Sequence, residues 1–87
     1  MSDKLLSLKI LSPDRIILNL DKIASINVRL ENGSLIGVRP GHAPLIALSA
    51  DSLLSYRSED TLHKVHVNDG ILTIENNKVM ILTTGPK

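Results

Sequence analysis

The chain has 87 residues, a net charge of +1, no cysteine and one aromatic side chain, Tyr56. This length makes a single domain, residues 1–87, and the absence of thiols excludes disulfide staples and thiolate metal sites. Charges scattered along the chain, without a basic block or aromatics on which bases could stack, argue against nucleic acid as a partner. No apolar run nears the roughly 18 residues of a membrane-spanning helix. The first residues lack the long apolar region and small-residue cleavage site of a signal peptide, so a soluble, cytoplasmic protein is expected. Leu, Ile and Val make up about a third of the chain. The core must be aliphatic, built from burials of roughly 1.5–3 kcal/mol each. A domain this small gains from burial against a partner, which points toward a subunit.

Leu6, Leu8 and Ile10 alternate with Ser7 and Lys9, the period of a half-buried strand. Ser12-Pro13-Asp14 carries turn chemistry and leads to a second strand, Ile16-Ile17-Leu18-Asn19-Leu20, with a break expected at Asp21-Lys22. Ile26, Val28 and Leu30 then alternate with polar residues, and Asn32-Gly33 predicts a hairpin into Leu35-Ile36-Gly37-Val38. Gly37 suggests a bulge or a close backbone approach.

Residues 31–45 are the least strand-like stretch, with three glycines and two prolines around Arg39 and His42. Leu45-Ile46-Ala47-Leu48 reads as a short buried strand. Leu53-Leu54-Ser55-Tyr56-Arg57 and residues 62–68 form the next pair across the polar loop Ser58-Glu59-Asp60. On the second of these, Leu62, Lys64 and His66 share one face, with His63, Val65 and Val67 on the other. Ile71-Leu72-Thr73-Ile74-Glu75 and Lys78-Val79-Met80-Ile81-Leu82-Thr83 flank a compact turn at Asn76-Asn77, and Thr84-Gly85-Pro86-Lys87 reads as a tail. About nine short strands and no helical periodicity predict an all-β fold, an antiparallel β-sandwich of nine or ten strands.

Little in this sequence carries bond chemistry. His63 and His66, three apart on a strand, point to opposite faces and make a poor metal clamp. No serine sits in a Gly-x-Ser-x-Gly elbow, and no glycine-rich loop leads into Lys-Ser/Thr, so neither a hydrolase triad nor a phosphate cradle is expected. Neither catalytic residues nor a cofactor is assigned. Two readings stand for His42: a capped corner residue, or part of a rigid loop that docks on a partner.

Gly37-Val38-Arg39-Pro40-Gly41-His42-Ala43-Pro44-Leu45 resembles the hallmark segment of the epsilon subunits of F-type ATP synthases. Asp69-Gly70-Ile71-Leu72-Thr73-Ile74, Val79-Met80-Ile81-Leu82 and the opening Leu8-Lys9-Ile10-Leu11-Ser12-Pro13 are similar to other strands of that family. The resemblance implies a ten-stranded β-sandwich in the central stalk, non-catalytic, linking gamma to the c ring and coupling ion translocation to ATP synthesis or hydrolysis. By the same analogy Gly33, Ser34, Leu35, Arg39 and His42 would meet the c ring, while Ser12, Pro44 and Leu45 would lie toward gamma. It also implies a peripheral position on the cytoplasmic face of a bacterial inner membrane, with membrane contact only through the complex. The family usually continues into a C-terminal helical hairpin; this sequence stops at Lys87, so the inhibitory and ATP-binding roles of that hairpin are not expected of it. The turn at Asp51-Ser52 departs from the family's usual glycine, and the Gly33–Gly37 spacing is one residue longer than usual. The alternative, if the loop has been reused, is a free-standing β-sandwich module that binds another protein.

Overall fold

The computed structural model describes residues 5–83, so the N-terminal residues 1–4 and the tail at 84–87 lie outside the described residues. Nine strands follow one another without a helix among the described residues: β1 (Leu6–Ser12), β2 (Arg15–Ile23), β3 (Ser25–Arg29), β4 (Leu35–Val38), β5 (Leu45–Ser49), β6 (Ser52–Ser58), β7 (Thr61–Val67), β8 (Gly70–Glu75) and β9 (Lys78–Thr83). They form a five-stranded sheet in the order β2-β1-β9-β8-β5 and a four-stranded sheet in the order β4-β3-β6-β7. The expected all-β sandwich is the observed fold. Neighbouring strands are antiparallel except β1 and β9, which run parallel at the centre of the larger sheet.

Alternation fixes the inner faces. Leu6, Leu8 and Ile10 of β1 meet Val79 and Ile81 of β9 and Leu72 and Ile74 of β8, all at most 1% exposed. Ile26, Val28, Val38 and Leu54 supply the opposing layer from the smaller sheet. Thirteen aliphatic side chains make this buried cluster, with Tyr56 packed at its margin. Each is held in place by the pleat, because a one-residue slip would turn a whole strand's apolar set outward.

Several turns differ from expectation. At the β3–β4 hairpin only Gly33 has positive φ (94°), and its N–H donates to the Leu30 carbonyl. A two-residue type I′ turn needs positive φ at both central residues, so a three-residue connection replaces the simple Asn32-Gly33 turn. The type I′ signature stands instead at Asn76-Asn77 and at Glu59-Asp60, where both residues have positive φ. The expected break at Asp21-Lys22 is a bulge within β2: Lys22 has φ 60°, and the register against β1 shifts there. Gly37 carries no bulge; it pairs in register with Asn27.

A further difference lies in β5. Ala47 and Ser49 face inward, but Ile46 is 77% and Leu48 54% exposed. The strand is the edge of its sheet, and its outer side is open rather than buried. Inside, the Ser49 hydroxyl has no hydrogen-bond partner among the described residues.

Candidate functional site

The Pro-Gly-His segment connects β4 to β5, crossing from one sheet to the other. Pro40 and Gly41 occupy the central positions of a turn in which the His42 N–H donates to the Arg39 carbonyl (3.1 Å). Proline at the first central position and φ +89° at the second are the signature of a type II turn. A Cβ on Gly41 would meet nothing within 4 Å, so its backbone angle rather than crowding requires glycine.

This turn is tied to the larger sheet. The Gly41 N–H donates to Asn77 Oδ1 (2.7 Å), and the Asn77 carbonyl accepts from the Ser7 N–H (2.9 Å). One residue of the β8–β9 turn therefore holds both the Pro-Gly-His loop and the start of β1. His42 Nδ1 lies 2.7 Å from the Ala43 carbonyl. A carbonyl only accepts, so Nδ1 carries the proton, and the neutral ring has Nε2 as its acceptor. His42 therefore caps the following carbonyl, on a loop that Asn77 ties to the larger sheet.

The residues assigned to the c ring divide into two groups. Gly33, Ser34 and Leu35 form the exposed tip of the β3–β4 hairpin, whereas Arg39 and His42 lie beyond the other end of β4. Three strand residues, Ile36, Gly37 and Val38, separate the groups, so Leu35 and Arg39 are about 13 Å apart along the chain. The residues assigned to gamma also lie at opposite ends of the larger sheet. Ser12 ends β1 near Thr83, whose hydroxyl donates to the Leu11 carbonyl, while Leu45 begins β5 opposite Ile74. Ser12 is only 6% exposed and its hydroxyl donates within its own turn, 2.9 Å from Asp14 Oδ1. Leu45 is half-buried against the core. The histidines part as expected: His63 stacks on Tyr56, and His66 pairs with Asp51 at 2.6 Å. Among the described residues, no group of three or more acidic, histidine or cysteine side chains could hold a metal ion.

What sequence reasoning missed is the outer face of the five-stranded sheet. The registers place Ile16 opposite Leu11, Leu11 opposite Leu82, Leu82 opposite Ile71 and Ile71 opposite Leu48. One aliphatic row thus crosses all five strands, and four of its five members are more than 40% exposed. Met80 and Ile46 widen it on the same face. The available signal was the unbroken apolar run Val79-Met80-Ile81-Leu82, where both phases of the strand are apolar.

Comparison with known proteins bears on this scaffold. A family model described as the β-sandwich domain of the ATP synthase delta/epsilon chain matches residues 5–85. The chain belongs to that family. It is 37% identical over 78 residues to the ATP synthase epsilon chain of Lawsonia intracellularis, covering 90% of this chain and 57% of the relative. It is 33% identical over 84 residues to the epsilon chain of Carboxydothermus hydrogenoformans, covering 94% and 59%. The chain therefore spans less than two thirds of the curated relatives it matches. Among solved structures, a chain of the Euglena gracilis mitochondrial ATP synthase OSCP/F1/c-ring assembly superposes with a TM-score of 0.82 at 23% identity, covering 93% of this chain and 51% of that one. A chain of the Tetrahymena thermophila central stalk/c-ring assembly gives 0.73 at 11% identity, covering 98% and 67%. These two establish the shared fold. The delta/epsilon β-sandwich is the scaffold on which the Pro-Gly-His loop and the open apolar face are carried.

Proposed function

We propose that this domain is a non-catalytic rotor-stalk element of an F-type ATP synthase, seated between gamma and the c ring and coupling ion translocation to ATP synthesis or hydrolysis. The observation that carries this reading is the aliphatic row across the outer face of the five-stranded sheet. An open apolar face of this extent on a small domain marks a surface that a partner covers. Ser12 and Pro44-Leu45 lie at opposite ends of that sheet, so the gamma-directed residues bracket the face. Their own side chains are largely spent on the turn and the core, and the exposed Leu48, Ile71 and Leu82 supply the contact. Gamma would bind there.

The c ring would meet the hairpin tip at Gly33, Ser34 and Leu35, with Arg39 and His42 contacting it from the far end of β4. Leu35, 59% exposed beside the polar tip, suits a small docking point. The domain would be peripheral, held at the cytoplasmic face of a bacterial inner membrane through the complex. Its part is mechanical: a tied-down loop and a rigid sandwich transmit torque without bond chemistry.

The test is a tagged pull-down from detergent-solubilised membranes of the native host, with co-purifying chains identified by mass. Gamma together with c subunits is the expected result. Recovery of the domain alone, or with an unrelated chain, would overturn the reading.

A further inference from the structure

The outer face of the four-stranded sheet has a chemistry of its own. Register places Arg57 opposite Ser25, and Lys64 opposite Ser55, which in turn faces Asn27; Asn27 also faces Gly37. Gly37, Asn27 and Ser55 thus form a low lane across the strands, floored by small or hydrogen-bonding groups. Asn27 Nδ2 lies 3.5 Å from Ser55 Oγ, and a Cβ on Gly37 would approach Asn27 Oδ1 to 3.2 Å. Where the lane reaches β4 it opens into a groove of about 440 Å³ that Ser25 and Arg39 also line.

Cations bank this lane. Arg39 and Arg57 stand on one side, Arg29 on the other, and Lys64 at the β7 end. All four are exposed. Arg29 donates to the Gly33 carbonyl (3.0 Å), while Arg39, Arg57 and Lys64 have no carboxylate partner among the described residues. Arg57 and Lys64 are diagonal neighbours on adjacent strands, about 7–8 Å apart, where like charges repel. No outward-facing strand position of this sheet holds an Asp or Glu among the described residues. In a chain with nearly equal numbers of acidic and basic residues, that is a segregation of charge.

We infer that this lane receives an extended acidic segment of a partner protein, laid across the four strands. Carboxylates from the segment would neutralise Arg39 and Arg57, and its backbone would hydrogen-bond to Asn27 and Ser25. Charge complementarity selects the occupant, and the hydrogen-bonding floor favours a polypeptide over a lipid surface. Four strands span roughly 15 Å, which an extended segment of about five residues covers. This surface is opposite the apolar face and stands independently of what that face binds; it shares Arg39 with the proposed c-ring contact, whereas Asn27, Ser55 and Arg57 lie outside that contact.

The experiment uses the full chain, isotopically labelled, and a synthetic peptide of about eight alternating Glu and Ser residues at low salt, where such contacts are least screened. Amide shifts centred on Gly37, Asn27 and Ser55 are expected. Affinity should fall about tenfold in the double variant Arg39→Gln/Arg57→Gln. The double variant Lys9→Gln/Lys78→Gln, which makes the same change in net charge from the other sheet, should stay within about twofold. Shifts centred elsewhere, equal weakening in both variants, or no shift at all would overturn the proposal. Binding to anionic phosphatidylglycerol vesicles without binding to the peptide would overturn it as well, and assign the face to a lipid surface.

Discussion

The two outer faces of the sandwich are built on the same pleat and yet differ in kind. On the five-stranded sheet, Ile16, Leu11, Leu82, Ile71 and Leu48 line up across every strand. On the four-stranded sheet the central lane carries Asn27, Ser55 and Lys64, and the lanes beside it set Arg57 between Ser25 and Leu62, and Arg29 opposite Leu35. The inner faces are alike, both aliphatic and dry. One core therefore supports two surfaces whose attractions scale differently: the apolar face gains from area removed from water, whereas the basic face gains from charge pairing that salt screens. A domain so built can hold one partner by burial and meet another by charge without either surface disturbing the core.

The apolar face can be broken most directly with paired charges. Ile71→Asp with Leu82→Asp places two carboxylates at neighbouring positions in the middle of the row. On the proposed seating, capture of gamma should fall at least about a hundredfold by titration calorimetry, since buried anchors at an interface centre can each be worth about 2 kcal/mol or more. Arg57→Glu, on the other face, should leave gamma capture within about threefold, as exposed charges contribute little. Equal losses from both changes would mean the faces are not separate surfaces.

The two sheets also differ in how tightly their backbones approach. A Cβ at Gly70 would collide with the Leu82 carbonyl group and the Thr83 Cα, all of it backbone between paired strands. Gly70→Ala should therefore cost about 2 kcal/mol of stability in urea denaturation, because β8 and β9 must move apart. Gly37 meets only the end of the Asn27 side chain, at 3.2 Å. Gly37→Ala should cost under about 1 kcal/mol, since that amide can turn aside, but it should raise the floor of the basic lane and weaken acidic-peptide binding more than it weakens the fold. A stability loss at Gly37 matching that at Gly70 would contradict this account.

Much of this architecture was legible along the chain. Leu6, Leu8 and Ile10, like Ile26 and Val28, show the alternation that one buried face imposes, and Asn76-Asn77 announced its turn. The open row left only an ambiguous signal: in Leu45-Ile46-Ala47-Leu48, as in Val79-Met80-Ile81-Leu82, both phases are apolar or small, so periodicity cannot tell a strand buried on both sides from one with an exposed apolar face. The basic lane was not legible. Arg57 and Lys64 flank one hairpin, but Arg29 is far from them in sequence and the three read as scattered charge; only the β3–β6–β7 register collects them. The parallel pairing of β1 with β9 joins the first strand to the last, and no local pattern encodes it. The Pro-Gly-His turn was legible as a shaped corner, but its attachment to Asn77 depends on a contact across 36 residues.

A smaller effect separates the core from both faces. Ser49 is 1% exposed, at the end of β5, and its hydroxyl has no hydrogen-bond partner among the described residues. A buried polar group without a partner gives up its hydration and gains nothing in return. Ser49→Ala removes the oxygen while keeping the Cβ, so the strand's pairing with Gly70 is untouched. Stability should rise by about 0.5–1 kcal/mol in urea denaturation. Both partner surfaces should bind as before, because Ser49 points inward, away from the exposed Leu48 beside it. A loss of stability would mean that the hydroxyl is satisfied in solution, and an altered affinity at the apolar face would mean that the core and that face are coupled through β5.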